Sequence, residues 1–208
     1  MPAWPAVTKE APPPVLPLPP PPPRALIPTF FGLPVASKDL VFVIDVSGSV
    51  GAGGFDGAKT ELMKAVERVG SDVRIAALFF DESLVSWHPE MIRATPEAKA
   101  DLARFVRGIP RGRHTDLMTP LNAGLQIVRR RVEERAAAKE PAGERVSMFV
   151  VSDGQENVRA TPGEAVGDKL DRLDVSNAVV HAICVGLRDS ALMLALARRG
   201  GGRYLHVP

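Results

Sequence analysis

Two aspartates in this sequence follow long apolar runs, and hydroxyl residues stand close to the first of them. Asp45 is followed by Ser47 and Ser49, with Gly48 between the two serines, and Asp153 follows a second apolar run. One carboxylate and two hydroxyls spaced two residues apart can face a common centre when a glycine lets the turn bend. Carboxylate and hydroxyl oxygens are hard ligands, which favour Mg²⁺, Mn²⁺ or Ca²⁺ over zinc or copper.

The apolar runs themselves indicate where these side chains lie. Leu40 to Val46 and Val146 to Ser152 are apolar almost throughout, as expected for central strands buried on both faces. In an open parallel sheet, ligands bind in the crevice beyond the carboxyl ends of the strands. If the two strands are neighbours, the loops after them converge with the polar loop Pro110 to Thr119. The sequence therefore predicts a cation site beyond the carboxyl ends of these two strands.

Strand and helix patterns alternate along most of the chain, which predicts an α/β fold. We expect a doubly wound, mostly parallel sheet with helices on both faces. One antiparallel edge strand is predicted, because Val73 to Phe80 and Leu84 to Trp87 are separated by only three residues. Thr95 before Pro96 and Thr161 before Pro162 are typical helix starts, and Pro120 is predicted to open a further helix.

The N-terminal segment has a different composition. Thirteen of the 20 prolines lie before Ala36, and proline cannot donate a backbone hydrogen bond to a helix or a sheet. We expect residues 1–36 to form an extended proline-rich arm or linker, with a short apolar patch from Ile27 to Leu33 that docks on the domain or leads into its first strand. Residues 37–208 are expected to form one domain.

Composition excludes several classes of partner. The net charge is +2 and only 5% of residues are aromatic, so no basic stripe or stacking surface for nucleic acid is expected. The apolar runs are too short for a membrane span, and the first ten residues lack the features of a signal peptide. As written, the sequence predicts a cytoplasmic protein, and a longer, membrane-tethered chain of which this is one piece stays open.

Three ordered motifs resemble the von Willebrand factor A family. Asp45-Val46-Ser47-Gly48-Ser49 is similar to the first element of the metal-ion-dependent adhesion site of that family. The segments beginning at Thr119 (T-P-L-N-A-G-L) and Val150 (V-V-S-D-G) resemble the second and third elements. The resemblance covers roughly residues 40–208 and implies the same doubly wound, Rossmann-like fold.

The resemblance also implies a set of metal ligands and a function. Carried over by position, the ligands of a divalent cation, Mg²⁺ first and Mn²⁺ or Ca²⁺ next, are Asp45, Ser47, Ser49, Thr119 and Asp153. Thr115 is the alternative to Thr119, because Met118 stands where the family has a glycine before its threonine.

With two carboxylates among five protein ligands, such a cation keeps a position open to solvent, which an acidic side chain of a partner protein can occupy. The chain is therefore expected to bind a protein rather than to catalyse a reaction. Arg113, His114 and Asp116, in the loop that borders the site, are expected to form the partner-binding rim.

An enzyme of the haloacid dehalogenase type is the alternative interpretation. Such Mg²⁺-dependent phosphoryl-transfer enzymes also place an aspartate after a buried first strand. They normally carry a second carboxylate two residues later, where this chain has Ser47. Serine hydrolase chemistry is not indicated either, because Asp45 takes the place of the glycine that a nucleophile elbow requires.

Overall fold

The computed structural model describes residues 27–140, 144–155, 166–186 and 189–208. A small hairpin of two strands precedes a larger α/β unit. The strands are β1 (Thr29–Phe30), β2 (Leu33–Pro34), β3 (Asp39–Asp45), β4 (Arg74–Phe80), β5 (Leu84–Ser86), β6 (Ile92–Arg93), β7 (Val146–Ser152), β8 (Ala178–Val185) and β9 (Tyr204–Val207). The helices are α1 (Gly51–Arg68), α2 (Pro96–Gly108), α3 (Met118–Ala137), α4 (Val166–Asp171) and α5 (Ala191–Gly200), and a 3₁₀ turn (Gly48–Val50) precedes α1.

The large sheet is mostly parallel, as predicted. In the described residues its strand order is β5-β4-β3-β7-β8-β9, and β6 also pairs with β4. Strand β3 pairs in parallel with β4 on one side and with β7 on the other. The predicted hairpin forms the antiparallel edge, since β5 runs antiparallel to β4. The two strands expected to be neighbours are therefore adjacent at the centre of the sheet.

Helices cover both faces of this sheet, and alternate side chains of β3 supply the two cores. Leu40, Phe42 and Ile44 pack in the core that contains residues of α1 and α2. Val41 and Val43 pack in the other core, with residues of α3, α4 and α5. Burial on both faces explains why this strand is apolar from Leu40 to Ile44 rather than alternating with polar residues.

The β1–β2 hairpin belongs to the first of these cores. Phe30 is fully buried, and its ring centroid lies 5.0 Å from that of Phe42 and 5.4 Å from that of Phe149. The backbone N–H of Phe31 donates to Glu61 Oε2 on α1. The apolar patch therefore docks on the domain through Phe30 and Leu33, whereas Ile27 at its start is exposed.

A buried ion network holds the amino end of β3. Asp39 Oδ1 accepts a hydrogen bond from Arg131 Nε at 2.9 Å, and Arg135 Nη1 lies 3.4 Å from Asp39 Oδ2. Arg131 also donates through Nη2 to Glu140 Oε2 at 2.8 Å. This network anchors the second half of α3 to the start of the strand.

The helix boundaries test the predicted starts. Thr95 caps α2 by accepting the N–H of Ala98, as predicted. Helix α3 begins at Met118, two residues before the predicted start at Pro120, while the start predicted at Thr161 and Pro162 lies outside the described residues. No helix in the described parts of the chain combines the length and apolar content needed to cross a membrane.

Candidate metal centre

The carboxylate of Asp45 lies at the carboxyl end of the central strand and is completely buried. Its Oδ1 accepts the N–H of Ser47 at 2.8 Å, and its Oδ2 accepts the hydroxyl of Ser152 at 2.6 Å. Ser152 ends the adjacent strand β7. These bonds fix the orientation of the carboxylate, but both donors are neutral.

This environment raises the pKa of Asp45. Burial raises it from 3.8 to about 6, against the opposing effect of the hydrogen bonds from Ser152 and Ser47, and the nearby charge of Asp153 adds to the rise. A buried carboxylate with neutral donors alone is costly to ionise. A cation beside it would remove that cost.

Three hydroxyls cluster next to this carboxylate. Thr115 Oγ1 donates to Ser47 Oγ at 2.8 Å, and Ser47 Oγ lies 3.0 Å from Ser49 Oγ. The third side of the triangle, from Ser49 Oγ to Thr115 Oγ1, is 3.4 Å. Ser47 and Thr115 are fully buried, whereas Ser49 is exposed, so the cluster has one side toward solvent.

The threonine in this cluster is Thr115 and not Thr119. Thr119 lies in the first turn of α3, where its hydroxyl donates to Asp116 Oδ2 at 2.7 Å and its N–H to Asp116 Oδ1 at 3.2 Å. Asp116 is itself buried, so its side chain does not contribute to an exposed partner-binding rim. Arg113 and His114, the other expected rim residues, are exposed.

Asp153 follows the neighbouring strand β7 and is half-buried. Its Oδ1 accepts the N–H of Gln155 at 3.0 Å. Its Oδ2 is buried and has no hydrogen-bond partner among the described residues, and no other buried side-chain nitrogen or oxygen in those residues is left so. An unsatisfied buried carboxylate oxygen is expensive unless a further donor or a cation meets it.

The loop that carries Thr115 is held by the loop after β4. Glu82 Oε2 accepts the N–H groups of His114 at 3.1 Å and Arg113 at 3.4 Å. Gly112 is necessary for the close approach, since a Cβ there would lie 2.0 Å from an oxygen of Asp81. These contacts bring the threonine to the hydroxyl cluster.

Two of these positions were missed by the sequence reasoning. Ser152 donates to Asp45 and accepts the N–H of Gly154 at 3.0 Å, and the S-D-G motif at a strand end could have indicated it. Glu82 had no such signal, because its role depends on a contact across 32 residues of sequence.

The donor types limit what the site can bind. No group of three or more His, Cys, Asp or Glu side chains suited to a metal occurs in the described residues. Any cation here would rely on hydroxyl and carboxylate oxygens together, which is the preference of hard ions. The arrangement offers an oxygen-lined position with one exposed side.

Comparison with known proteins decides the family. The family described as the von Willebrand factor type A domain matches residues 39–207. The chain belongs to this family. Its inter-alpha-trypsin inhibitor heavy chain H3 relatives include that of Bos taurus, 30% identical over 148 residues, and that of Homo sapiens, 26% identical over 148 residues. These alignments cover 71% of this chain but only 16% of each relative.

Solved structures support the fold. A von Willebrand factor type A protein from Catenulispora acidiphila superposes with a TM-score of 0.62 at 16% identity, over 83% of this chain and 39% of that one. Proximal thread matrix protein 1 from the mussel byssus, described with a zinc-occupied metal-ion-dependent adhesion site motif, gives 0.52 at 17% identity, over 81% and 41%. Von Willebrand factor A domains are commonly protein-interaction modules, and membership of this family does not favour the phosphoryl-transfer alternative.

Proposed function

We propose that this domain binds a partner protein through a divalent cation held by Asp45, Ser47, Ser49, Thr115 and Asp153. The observation that carries the proposal is the pair of incompletely neutralised carboxylates at one edge of the sheet. Asp45 is fully buried with neutral donors only, and Asp153 Oδ2 is buried with no partner in the described residues. A dication would compensate both.

The spacing of the hydroxyl oxygens suits a small ion. Their separations of 2.8, 3.0 and 3.4 Å bracket the edge of about 3.0 Å expected between adjacent ligands of an octahedral ion with bonds of about 2.1 Å. Hydrogen-bonded hydroxyls have the same spacing, so exchange of these bonds for a cation needs little movement. The two shorter separations match the octahedral edge of a small ion more closely than that of Ca²⁺, about 3.4 Å, and therefore Mg²⁺ or Mn²⁺ is the proposed ion.

Thr115 replaces Thr119 in the proposed ligand set. Its hydroxyl already touches Ser47, whereas the hydroxyl of Thr119 is held by Asp116. Since Asp116 is buried, the proposed partner-binding rim is reduced to Arg113 and His114.

Recognition, not catalysis, follows from the same arrangement. A cation with few anionic ligands keeps affinity for a further carboxylate, and the exposed side of the cluster at Ser49 gives an acidic residue of a partner a route to it. The proposed partner is thus a protein with an accessible Asp or Glu. The cytoplasmic location stays a prediction, and so does a linker role for the part of the proline-rich arm that precedes the β1–β2 hairpin.

Thermal denaturation with Mg²⁺, Mn²⁺, Ca²⁺, Zn²⁺ or EDTA tests the cation site. We expect Mg²⁺ and Mn²⁺ to raise the melting temperature of the wild type and to leave Asp45→Ala unchanged. Thr115→Val should weaken the Mg²⁺ response by about tenfold in concentration, because one ligand is lost. Thr119→Val is the matched control and should keep the response.

The outcomes separate the two threonines and test the site as a whole. A response lost in Thr119→Val and kept in Thr115→Val would reverse the assignment. No stabilisation of the wild type by any of the four cations, at concentrations up to several millimolar, would contradict the cation site.

A further inference from the structure

We propose that Arg111 and Arg113 select partners that carry a second acidic residue close to the one that binds the cation. This inference rests on the proposed function. It adds a specificity surface, the arginine rim, defined as the exposed side chains of Arg111 and Arg113 beside the hydroxyl cluster.

Arg111 is positioned next to the first motif. Its Nη2 lies 3.5 Å from the carbonyl oxygen of Gly48, the residue between the two serines of the cluster. Its guanidinium carbon lies 6.0 Å from the centroid of the Phe55 ring, which also carries the ammonium group of Lys59 at 4.1 Å. Contact with a ring face restrains a long cationic side chain without neutralising it.

Arg113 is held through its backbone while its side chain stays exposed. Its N–H donates to Glu82 Oε2, and its carbonyl oxygen lies 3.5 Å from where a Cβ of Gly48 would be. The main chain around Arg113 therefore packs against the serine turn. Its exposed side chain therefore extends from a backbone that is held beside the first motif.

Neither guanidinium forms an ion pair with a carboxylate in the described parts of the chain. The carboxylates in the loop after β4 accept hydrogen bonds from other groups. Glu82 accepts two backbone N–H groups, and Asp81 Oδ1 accepts both the N–H and the hydroxyl of Ser83. The arginine rim thus offers two forked donors next to a site that itself takes a carboxylate.

Charge complementarity then defines the partner. A carboxylate of the partner that reaches the cation brings its flanking residues over this rim, where a second carboxylate can accept a bidentate hydrogen bond from a guanidinium. A lysine or arginine at that place would be repelled. The surface fits a short acidic segment in which two Asp or Glu residues lie within a few positions of each other.

Synthetic peptides test this selection. Peptides of about ten residues, built from Gly and Ser, would carry one Asp, or two with one to four residues between them, and binding would be measured in Mg²⁺ and in EDTA. We expect the best two-acid peptide to bind about three- to tenfold more tightly than the one-acid peptide, the range expected for exposed charge-assisted bonds. This gain should shrink in high salt.

Variants assign the gain to the rim. Arg111→Ala with Arg113→Ala should reduce the ratio of two-acid to one-acid affinity to about one, although both peptides lose some affinity because two positive charges are removed beside the site. Arg68→Ala is the matched control, because it removes an exposed arginine from the last turn of α1, about 26 Å along the helix from its start. Arg111→Glu should prefer a peptide with Lys in place of the second Asp, a reversal that a purely structural role would not produce.

The results distinguish this inference from the proposed function. If one-acid and two-acid peptides bind equally in Mg²⁺, the arginine rim does not select and the inference is wrong, while the cation site stands. If the gain persists in the double variant, another surface produces it and the inference is again wrong. If Mg²⁺ stabilises the protein but no peptide binds, the proposed recognition of acidic segments is wrong, and so is the role inferred for the arginine rim.

Discussion

Strand β3 begins and ends with a buried aspartate, and the surroundings of the two carboxylates differ. Asp39 is 3% exposed and contacts two guanidinium groups, those of Arg131 and Arg135. Asp45 is 0% exposed, and its hydrogen bonds come from neutral groups of Ser152 and Ser47. The first carboxylate has its counter-charge within the protein. The second has only neutral donors, and its raised pKa reports that difference.

The comparison indicates what each end of the strand does. A carboxylate with paired arginines joins a helix to the sheet and contributes to the architecture. A carboxylate left without a positive partner costs free energy in the folded protein, and such a cost is expected where a ligand later supplies the missing charge. The two ends should therefore respond in opposite ways to the same change.

Loss of the arginine that pairs with Asp39 should have the largest effect on the free energy of unfolding. Arg131→Met removes the main partner of Asp39 and should lower the free energy of unfolding by about 3–5 kcal/mol, because a buried charge is left poorly compensated. Urea denaturation measures this loss, and Mg²⁺ should not restore it. Arg129→Met, at an exposed pair with Glu133, is the control and should change stability by less than about 0.5 kcal/mol.

Neutralising each aspartate should give changes of opposite sign. In EDTA at pH 7.5, Asp45→Asn should raise the free energy of unfolding by up to about 3 kcal/mol, the equivalent of its pKa shift from 3.8 to about 6. Asp39→Asn should lower it, because an attractive charge pair is lost. If Asp45→Asn and Asp39→Asn both lower the free energy of unfolding in EDTA, the proposed difference between the two ends of β3 is wrong.

The pH dependence should follow from the raised pKa of Asp45. A carboxyl whose pKa is higher in the folded state stabilises the fold below its unfolded value of 3.8, and this contribution is lost as pH rises through about 6. In EDTA, the stability difference between Asp45→Asn and wild type should therefore grow from pH 4 to pH 7. The Kd for Mg²⁺ should rise about tenfold per pH unit below pH 6, since protons compete for the carboxylate.

The smallest effect concerns the hydroxyl that supports Asp45. Ser152→Ala removes a donor at 2.6 Å and should weaken Mg²⁺ binding by about three- to tenfold, because the carboxylate is less well oriented and harder to ionise. Calorimetric titration measures the change. Ser147→Ala, on the same strand but at its other end, should bind Mg²⁺ as the wild type does.

The sheet was predictable from the sequence, because burial on both faces leaves a direct mark on the residue types. The apolar runs of β3 and β7 identified two central strands, and their carboxyl ends placed Asp45 and Asp153 at one edge. The short spacing between β4 and β5 identified the antiparallel edge. Each of these features depends on residues that are close together in the sequence.

The choice of threonine was not predictable in the same way. Thr115 lies in the loop before α3 and Thr119 in its first turn, and the spacing from Thr119 to Leu125, which resembles the family's second motif, favoured Thr119. The path of the loop that carries Thr115 is set by Glu82 and by the close approach of Gly112 to Asp81. These contacts join distant parts of the sequence. Because no local sequence pattern indicates these contacts, the sequence alone does not predict which threonine hydroxyl contacts Ser47.

Phe30 determines where the chain can be cut. Although it lies within the proline-rich region by composition, its ring is fully buried and packs against Phe42 and Phe149 of the sheet. A fragment starting at Ser37, the boundary that composition suggests, would lose Phe30 together with the buried side chains of Leu33 and Val35, and we expect it to be less stable by at least about 3 kcal/mol. We therefore expect an excised domain to need the hairpin from Thr29 onward, which would make the folding unit longer than the composition indicates.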